Sequence, residues 1–368
     1  MSTLTATSGE RAALLAMAGD LARRELIPRT EDLDRGHSAA MSACWSAVVE
    51  VGLDRALLGE QYGGVELSVR DLLATLEELA VGDGGIAMCV LLSNAALAAL
   101  DTDRGSTGSP IGQRLEDVRH GDRWVIAPVA PQGELTISDE RLDGGLPFVL
   151  GADGADGIVL LLDGSSPSAW ALGAATPGLK LERDRAQMGL RAARAASVEL
   201  AGAAAMPVSD EHDSGAGVSI ASASALLRAG TAAIARGIAR RAYELAFEYA
   251  QARRQGGVAI IEHEAVADML SAMAVRLACR TQLAAGPDGL QIAPSQALAA
   301  KIGATDAAVA TTTDAVQVFG GTGYMVETGV EKLMRDAKYC QLFPEPNWIA
   351  HAELMRLERA GHGAVQAS

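Results

Sequence analysis

The segment Gln317–Asn347, QVFGGTGYMVETGVEKLMRDAKYCQLFPEPN, decides the fold of this chain. It begins at the end of a long helical pattern that starts near Ser295, and the glycines of its GGTG run break that pattern. The VEKLMRDAK run then returns to helical spacing and predicts a second, shorter helix. Phe343-Pro344-Glu345-Pro346 follows as an irregular stretch, because each proline restricts the residue before it. We therefore expect two helices joined by a glycine turn, with a proline-rich loop after them.

Length and composition favour a large, mainly helical protein. The chain has 368 residues, of which 49% are hydrophobic but only 4% are aromatic. This length exceeds one ordinary core and suits two or three packed layers or domains. Small apolar residues, alanine above all, favour closely packed helices over a strand-rich sandwich.

The charge balance and the scattered cysteines and histidines argue against several classes of protein. The formal net charge of −15, from 31 basic and 46 acidic residues, opposes attraction to nucleic acid or anionic membranes. Four widely separated cysteines predict free thiols in a reducing cytoplasm, and six scattered histidines predict no metal site. The opening MSTLTATSGERAALLAM lacks the regions of a signal peptide, and no apolar run is long enough for a membrane span. We therefore expect a cytoplasmic protein without nucleic-acid or membrane partners.

Periodic segments divide the chain into three regions. Residues 1–122 show helical spacing, residues 123–208 contain short strand-like runs punctuated by glycine, proline and aspartate, and residues 209–368 return to long helices. The predicted helices are Ser8–Leu26, Ala39–Val51, Ser68–Leu79 and Ile86–Leu100 in the first region, and Ser219–Arg254, Glu262–Ala284 and Ser295–Phe319 in the third. Within the longest of them, Gly230 and Gly237 predict close approach by a neighbouring helix.

Several motifs together resemble the acyl-CoA dehydrogenase family of flavoproteins. Gln317–Lys338 matches the family's Q-x-x-G-G-x-G-Y/F and V-E-K/R-L-x-R-D-A-K/R runs. Glu60–Gly64 and Glu77–Ala80 match its E-x-Y-G-G turn and L-E-E-L-A helix, and Arg253–Gly257 stands where it has R-K/R-x-F-G. The resemblance implies a mainly α fold with a small β-domain. Its parts are an N-terminal helical domain (1–122), a β-barrel-like middle domain (123–208) and a C-terminal four-helix bundle (209–368).

The resemblance also implies FAD as the cofactor and an oligomer that shares it. Arg253 matches an arginine whose guanidinium pairs with the pyrophosphate of FAD in a neighbouring subunit. Gln317, Gly320 and Gly321 match the run that holds the adenosine end of the same cofactor. A homodimer or a homotetramer is therefore expected.

Other matched residues surround the place where the flavin ring and the substrate would lie. Phe148 and Leu150 stand in the family's W-I-T stretch, which contacts the isoalloxazine ring, and Arg228 matches an arginine near the substrate thioester. Two segments depart from the family pattern. Ala127–Gly133 lacks the threonine and serine of T-E-P-x-x-G-S-D, and Gly256 replaces the phenylalanine after the cofactor arginine.

The catalytic base is the main departure from the family. Alignment of RDAK without a gap puts Pro344 at the family's glutamate, and the alternative carboxylate position of some relatives falls at Leu227. Glu345 is the remaining candidate base, since its flanking prolines restrict the backbone and could aim the side chain inward. The other interpretation is an exposed loop carboxylate without a catalytic role, and the sequence leaves both open.

The implied function is that of an FAD-dependent oxidoreductase acting on an acyl thioester, linked to CoA or to an acyl carrier protein. The electron acceptor is unspecified. Divergence at the base and at the flavin-contact positions suggests a specialised substrate, such as a hydroxyacyl-carrier protein oxidised for a methoxymalonyl-type polyketide extender unit. Two alternatives stay open: a catalytically silent partner subunit of a heteromeric dehydrogenase, and a flavin-dependent hydroxylase on the same fold.

Two groups of charged residues have predicted roles elsewhere. Arg236, Arg240 and Arg241 form a basic cluster on one long helix, which would either receive an acidic carrier protein or form a solvated face. Arg335 and Asp336 are adjacent, and we expect them to form an internal ion pair that fixes the loop ahead of Phe343.

Overall fold

The computed structural model describes residues 8–100, 118–129, 135–162, 168–183, 187–209, 220–279 and 292–366. Helices occupy both ends of the chain, and strands occupy its middle. The predicted fold class, mainly α with a small β part, is confirmed.

The N-terminal helices are α1 (Ser8–Leu21), α2 (Thr30–Asp34), α3 (Ser38–Glu50), α4 (Val69–Gly82) and α5 (Gly84–Leu100). Helix α4 begins after Ser68, whose hydroxyl accepts a hydrogen bond from the Asp71 backbone N–H at 3.1 Å. All 17 residues of α5 are buried. The Asn94 side chain is satisfied there, because it donates to the Leu53 carbonyl oxygen and accepts from the Leu57 N–H.

Two four-stranded sheets form the middle of the molecule. Their strands are β1 (Trp124–Val129), β2 (Leu135–Ser138), β3 (Arg141–Val149), β4 (Gly157–Leu162), β5 (Ser168–Gly173), β6 (Leu179–Glu182), β7 (Ala196–Ala204) and β8 (Met206–Ser209). One sheet has the order β1–β4–β5–β8 and the other the order β2–β3–β7–β6. Strands β1 and β4 are parallel, and the first of them packs against α5. That sheet is thereby attached to the N-terminal helices.

The C-terminal region is built around α6 (Ile220–Ala252), a helix of 33 residues. A small hairpin of β9 (Arg254–Gln255) and β10 (Val258–Ala259) follows it. The later helices are α7 (Glu264–Ala278), α8 (Pro294–Phe319), α9 (Val330–Cys340) and α10 (Asn347–Gln366). Helix α6 contacts α4, α5, α8 and α9, so it joins the two helical regions.

Two glycines of α6 explain its close packing, as predicted. A Cβ atom at Gly230 would overlap the Leu91 side chain of α5, and one at Gly237 would overlap the Glu77 carbonyl oxygen of α4. A backbone carbonyl cannot move aside as a side chain can, so the second position requires glycine.

Most predicted helices appear with small shifts at their ends. The pattern Ser8–Leu26 becomes α1 followed by a π-helical turn over Ala22–Leu26. The predicted helix Glu262–Ala284 begins at Glu264, and residues 280–284 lie outside the described part of the chain.

Candidate active site

An apolar cavity of about 360 Å³, called the cleft below, lies between the sheets and the end of α9. Two segments of the middle region and one C-terminal segment meet there. The lining residues are Ile126, Ala127, Pro128, Phe148, Val149, Leu150, Tyr339, Leu342, Phe343 and Pro344. The structure thus brings the predicted ring-contact residues, Phe148 and Leu150, to the same space as the loop after α9. Of the departing segment, Ala127 and Pro128 line the cleft, and residues 130–133 lie outside the described part of the chain.

Two aromatic side chains narrow the cleft. The ring centroids of Phe148 and Tyr339 lie 6.1 Å apart, with the planes inclined by 38°. Burial raises the pKa of the Tyr339 hydroxyl above its usual range, so this phenol stays protonated at neutral pH. Sequence reasoning missed Tyr339, because an aromatic residue in a helix is more often a core residue than part of a site.

Glu345 forms an ion pair with Arg228, and its side chain is not among those that line the cleft. The Arg228 Nε atom lies 3.1 Å from the Glu345 Oε1 atom, and the two side chains are only 16% and 18% exposed. Glu345 is therefore not an exposed carboxylate, and its catalytic role stays a prediction. Pro344 and Leu227 occupy the two other positions for a base, and Leu227 is fully buried. Glu345 is the carboxylate nearest in sequence to the cleft lining.

The four residues predicted to hold the adenosine and pyrophosphate parts of FAD are exposed at the opposite end of α6. They are Arg253, Gln317, Gly320 and Gly321. The ring of Tyr249 stacks on that of Phe319 at a centroid distance of 4.2 Å, and its hydroxyl lies 3.4 Å from the Thr322 hydroxyl. These contacts bring the end of α6 beside the end of α8 and the glycine turn.

The turn after Arg253 explains one departure from the family pattern. Gly256 and Gly257 connect β9 to β10 as a two-residue hairpin turn, with φ angles of +64° and +89°. Side-chain-bearing residues adopt two successive positive φ angles only with strain, so glycine suits this hairpin better than phenylalanine.

The two groups of predicted residues are far apart within one chain. Arg228 is near the start of α6 and Arg253 follows its last residue. At 1.5 Å per residue, about 36 Å of helix separates them. The cleft group and the helix-end group therefore form two separate places on the single chain.

The predicted ion pair between Arg335 and Asp336 is wrong, although both residues make structural ion pairs. Arg335 bonds Glu331 and Asp34, whereas Asp336 bonds Lys332 on the other side of α9. Adjacent residues on a helix point in different directions, and residues four apart lie on the same face. The pairs Glu331–Arg335 and Lys332–Asp336 follow that rule.

The basic cluster on α6 is not a solvated face, because its three arginines are mostly buried and lie beside carboxylates. Arg240 forms a two-pronged bond with Glu78 on α4, at 2.8 and 2.7 Å. Arg236 bonds Glu77 on the same helix at 3.2 Å, and Arg241 lies 3.8 Å from Glu244. The predicted motif Glu77–Ala80 is thus the acidic partner of the cluster, and together they fasten α6 to α4.

Lys301 is a second residue that sequence reasoning missed. It lies on α8, is fully buried, and donates to the loop that carries Glu345. A lysine at a buried helical spacing among Ala297, Leu298, Thr305 and Ala308 was the available signal.

The described residues contain neither a membrane-spanning helix nor a cluster of metal-binding side chains. None of the helices found there has the length and apolar character needed to cross a membrane. Within the same residues, no group of three or more His, Cys, Asp or Glu side chains is placed to hold a metal ion.

Known proteins resemble this chain over nearly its whole length. Residues 8–105 match the family model of the acyl-CoA dehydrogenase N-terminal domain, and residues 213–344 match that of the C-terminal domain. A cyclohex-1-ene-1-carbonyl-CoA dehydrogenase of Geobacter metallireducens is 32% identical, over 92% of this chain and 95% of its own.

Two solved structures share the fold. Butyryl-CoA dehydrogenase from Megasphaera elsdenii has a TM-score of 0.78 at 25% identity, over 96% of this chain and 98% of that one. FkbI, described as acting in biosynthesis of the methoxymalonyl extender unit of a polyketide, has a TM-score of 0.74 at 21% identity, over 95% and 99%. The second likeness shows the fold alone. With the family-model matches and the relative of 32% identity, the chain belongs to the acyl-CoA dehydrogenase family, whose cofactor is FAD.

Proposed function

We propose that this protein is an FAD-dependent oxidoreductase that oxidises an acyl thioester beside the cleft. One observation carries the proposal: Phe148 and Leu150 share one apolar cavity with Phe343 and Pro344. The first two stand at the family's ring-contact positions, and Pro344 stands at the position of its base. A concave, mainly apolar site of this kind suits a planar ring system with a few polar edges.

The residues present suit FAD at both ends of that molecule. The cleft is apolar, and Arg253 is exposed and makes no ion pair with another described residue, so its guanidinium is available to a pyrophosphate. Because about 36 Å of α6 separates Arg228 from Arg253, we infer that Arg253, Gln317, Gly320 and Gly321 serve the FAD of a neighbouring chain. A homodimer or a homotetramer follows. FAD, when bound, supplies the acceptor for a hydride that leaves the substrate.

On the substrate side, we assign orientation to Arg228 and proton acceptance to Glu345. A base must come within hydrogen-bond reach of the proton it removes, directly or through one water molecule. Arg228 bonds the Oε1 atom of Glu345, and we assign proton acceptance to the other carboxylate oxygen, so the ion pair can hold the base while it acts.

The finer part of the proposal concerns the acyl group and its carrier. We infer a hydroxyacyl group, because oxidation of a carbon that bears oxygen takes its proton from the oxygen. A base displaced by one residue from the family's position, such as Glu345, is compatible with that reaction. The Geobacter relative is named for a CoA thioester, and FkbI for an extender unit. Both CoA and a carrier protein therefore have to be tested as carriers.

The test is anaerobic reduction of the bound flavin. The full chain is purified without a partner, its flavin content is read from the visible spectrum, and acyl and 3- or 2-hydroxyacyl thioesters are added on CoA, on pantetheine and on carrier protein. Near-stoichiometric flavin that is bleached by a thioester supports the proposal. Full flavin content with no bleaching by any thioester contradicts it.

A second candidate is a catalytically silent partner subunit, and one observation favours it. Neither Pro344 nor Leu227 can act as a base, and the remaining candidate base, Glu345, is bonded to Arg228. This candidate predicts that the chain purified alone is colourless and that co-expression with a complete dehydrogenase subunit yields a yellow complex. Yellow protein from the chain alone rejects it.

A further inference from the structure

Lys301 is a fully buried lysine whose bonds all go to one loop. Its side chain has 0% relative exposure. The Nζ atom donates to the Gln341 carbonyl oxygen at 3.1 Å, to the Glu345 carbonyl oxygen at 2.6 Å and to the Asn347 Oδ1 atom at 2.5 Å. An ammonium group has three N–H donors, and all three bond acceptors in residues 341–347. This segment is called the Glu345 loop below.

The Glu345 loop needs an outside donor because of its two prolines. Pro344 and Pro346 have no backbone N–H, which removes two donors from a segment of seven residues. The loop closes on itself through the Asn347 N–H and the Gln341 carbonyl oxygen, 2.9 Å apart. Lys301 then bonds the same Gln341 carbonyl and the Glu345 carbonyl, and so ties the closed end of the loop to its middle.

Two neighbours of Lys301 on α8 hold the ends of the same loop. The Asp306 Oδ1 atom accepts from the Gln341 side-chain amide at 2.7 Å and from the Asn347 side-chain amide at 2.7 Å. The Thr305 hydroxyl accepts from the Asn347 amide at 3.0 Å. Lys301 and Thr305 lie one turn apart on the same face of α8 and Asp306 is next to Thr305, so α8 presents three polar side chains to the loop.

An apolar side chain would be the cheaper way to pack this surface. Burying an ammonium group without a carboxylate among its hydrogen-bond partners is costly, and desolvation lowers the pKa of Lys301 to about 8. A methionine would fill similar space without that cost, but it could not bond three acceptors at once. The charged lysine therefore serves its hydrogen bonds to the loop, which packing alone does not explain.

We propose that Lys301 is a positioning residue that holds Glu345 in place for the reaction. It fixes the backbone carbonyl of Glu345 from α8, while Arg228 on α6 holds the carboxylate of the same residue. Glu345 is thereby fastened between two helices, with its neighbour Pro344 in the wall of the cleft. The catalytic part of this inference rests on the proposed function, and the loop-anchoring part does not.

The experiment compares Lys301→Met with the wild-type protein, both as the full chain loaded with FAD. Lys180→Met is the control, because Lys180 is an exposed lysine of β6 that pairs with Glu182 and Glu199. Amide hydrogen exchange is followed by mass spectrometry over peptides that cover residues 341–349. We expect protection there to fall by about tenfold or more in Lys301→Met, with other peptides and Lys180→Met unchanged.

The second readout is flavin reduction by the thioester found active on the wild type. A loosened Glu345 loop lowers the rate constant for flavin reduction by about tenfold while changing the substrate KM less, because orientation of the base is lost rather than binding. Loss of loop protection with a wild-type rate of flavin reduction overturns the positioning role. Unchanged protection overturns the anchoring itself.

Failure of the proposed function gives a different result. If no thioester reduces the wild-type flavin while Lys301→Met still loses loop protection, the reaction is wrong and the anchoring stands. Should Lys301→Met not fold, Asn347→Ala replaces it: this variant removes one acceptor of Lys301 and both amide bonds to α8. A smaller fall in protection confined to the same peptides is expected, and no fall rejects the inference.

Discussion

Arg228 on α6 and Glu345 in the loop before α10 are 117 residues apart in sequence, yet they form a half-buried ion pair of 3.1 Å. The carboxylate proposed as the base is therefore held by the side chain proposed to orient the substrate. This relationship makes the pair, rather than either residue alone, the centre of the proposed chemistry.

Glu345→Gln tests the carboxylate directly. Removing a general base lowers a rate by about 10²- to 10⁴-fold, so we expect flavin reduction to fall by that factor with FAD content unchanged. Stopped-flow absorbance under anaerobic conditions measures it. Glu50→Gln, an exposed glutamate at the end of α3, is the control and should keep the wild-type rate. A rate for Glu345→Gln within about twofold of wild type would remove Glu345 from the mechanism.

Arg253→Met tests the assignment of the helix-end group. Losing a charge-assisted, two-pronged contact with pyrophosphate should weaken FAD binding by about 10- to 100-fold. Arg254→Met is a matched control, since Arg254 is the next residue and is also exposed. Fluorescence titration of the apoprotein with FAD compares the two. Equal affinities for both variants would contradict the role given to Arg253.

Lys332→Met tests the buried charges that join α9 to the start of α5. The Lys332 Nζ atom lies 2.9 Å from Asp83 and 2.6 Å from Asp336, and all three side chains are buried. Removing the cation leaves two uncompensated carboxylates, so unfolding free energy should drop by about 3–5 kcal/mol. Urea denaturation measures this drop. Lys338→Met, an exposed lysine of the same helix, should stay within about 0.5 kcal/mol, and similar values for both would show that the buried ion pairs contribute little.

The low pKa of Lys301 predicts a pH dependence of stability. Desolvation lowers this pKa from 10.5 to about 8 in the folded chain, whereas the unfolded chain keeps the ordinary value. Between these two pH values the unfolded chain binds more protons, so the lysine's contribution to unfolding free energy rises with pH by up to about 1.4 kcal/mol per unit. Below pH 8 the penalty of burying the charge is fully present.

Subtracting the unfolding free energy of Lys301→Met from that of the wild type separates the effect of Lys301 from that of other titrating groups nearby. Glu345, Asp306, Cys340 and Arg228 act electrostatically on Lys301, and burial also raises the pKa of the Cys340 thiol. Unfolding free energies of wild type and Lys301→Met should therefore be compared from pH 7.5 to 10. The unfolding free energy of the wild type should rise relative to that of Lys301→Met as pH increases. A constant difference would show that Lys301 titrates outside this window.

Much of the fold was readable from the sequence because its signals are local. The two close-approach glycines of α6 act through their own backbone positions and appear as predicted, and the helix predicted from Ser68 begins at that serine's cap. The predicted helix Ile86–Leu100 was readable for the same reason, and the absence of a polar face agrees with its complete burial.

The side-chain partners in the site were not readable, because they depend on how distant segments pack. Nothing in the run Phe343–Asn347 shows that Glu345 meets Arg228 or that Lys301 donates to its carbonyl. The predicted ion pair between Arg335 and Asp336 was wrong for a local reason. The side chains of adjacent residues on a helix point in different directions. The solvated-face interpretation of the α6 cluster was wrong because its acidic partners, Glu77 and Glu78, belong to another helix.

The complete burial of α5 has a consequence for attempts to dissect this protein. Its apolar surface is covered on different sides by α6, by β1 and by the turn at Arg191–Ala193, which belong to later parts of the chain. A fragment ending near residue 122 would expose the apolar surface of α5 to water. It should therefore precipitate or be captured by chaperones. The N-terminal region is thus completed by later parts of the chain, and excising it alone is a poor route to a soluble fragment.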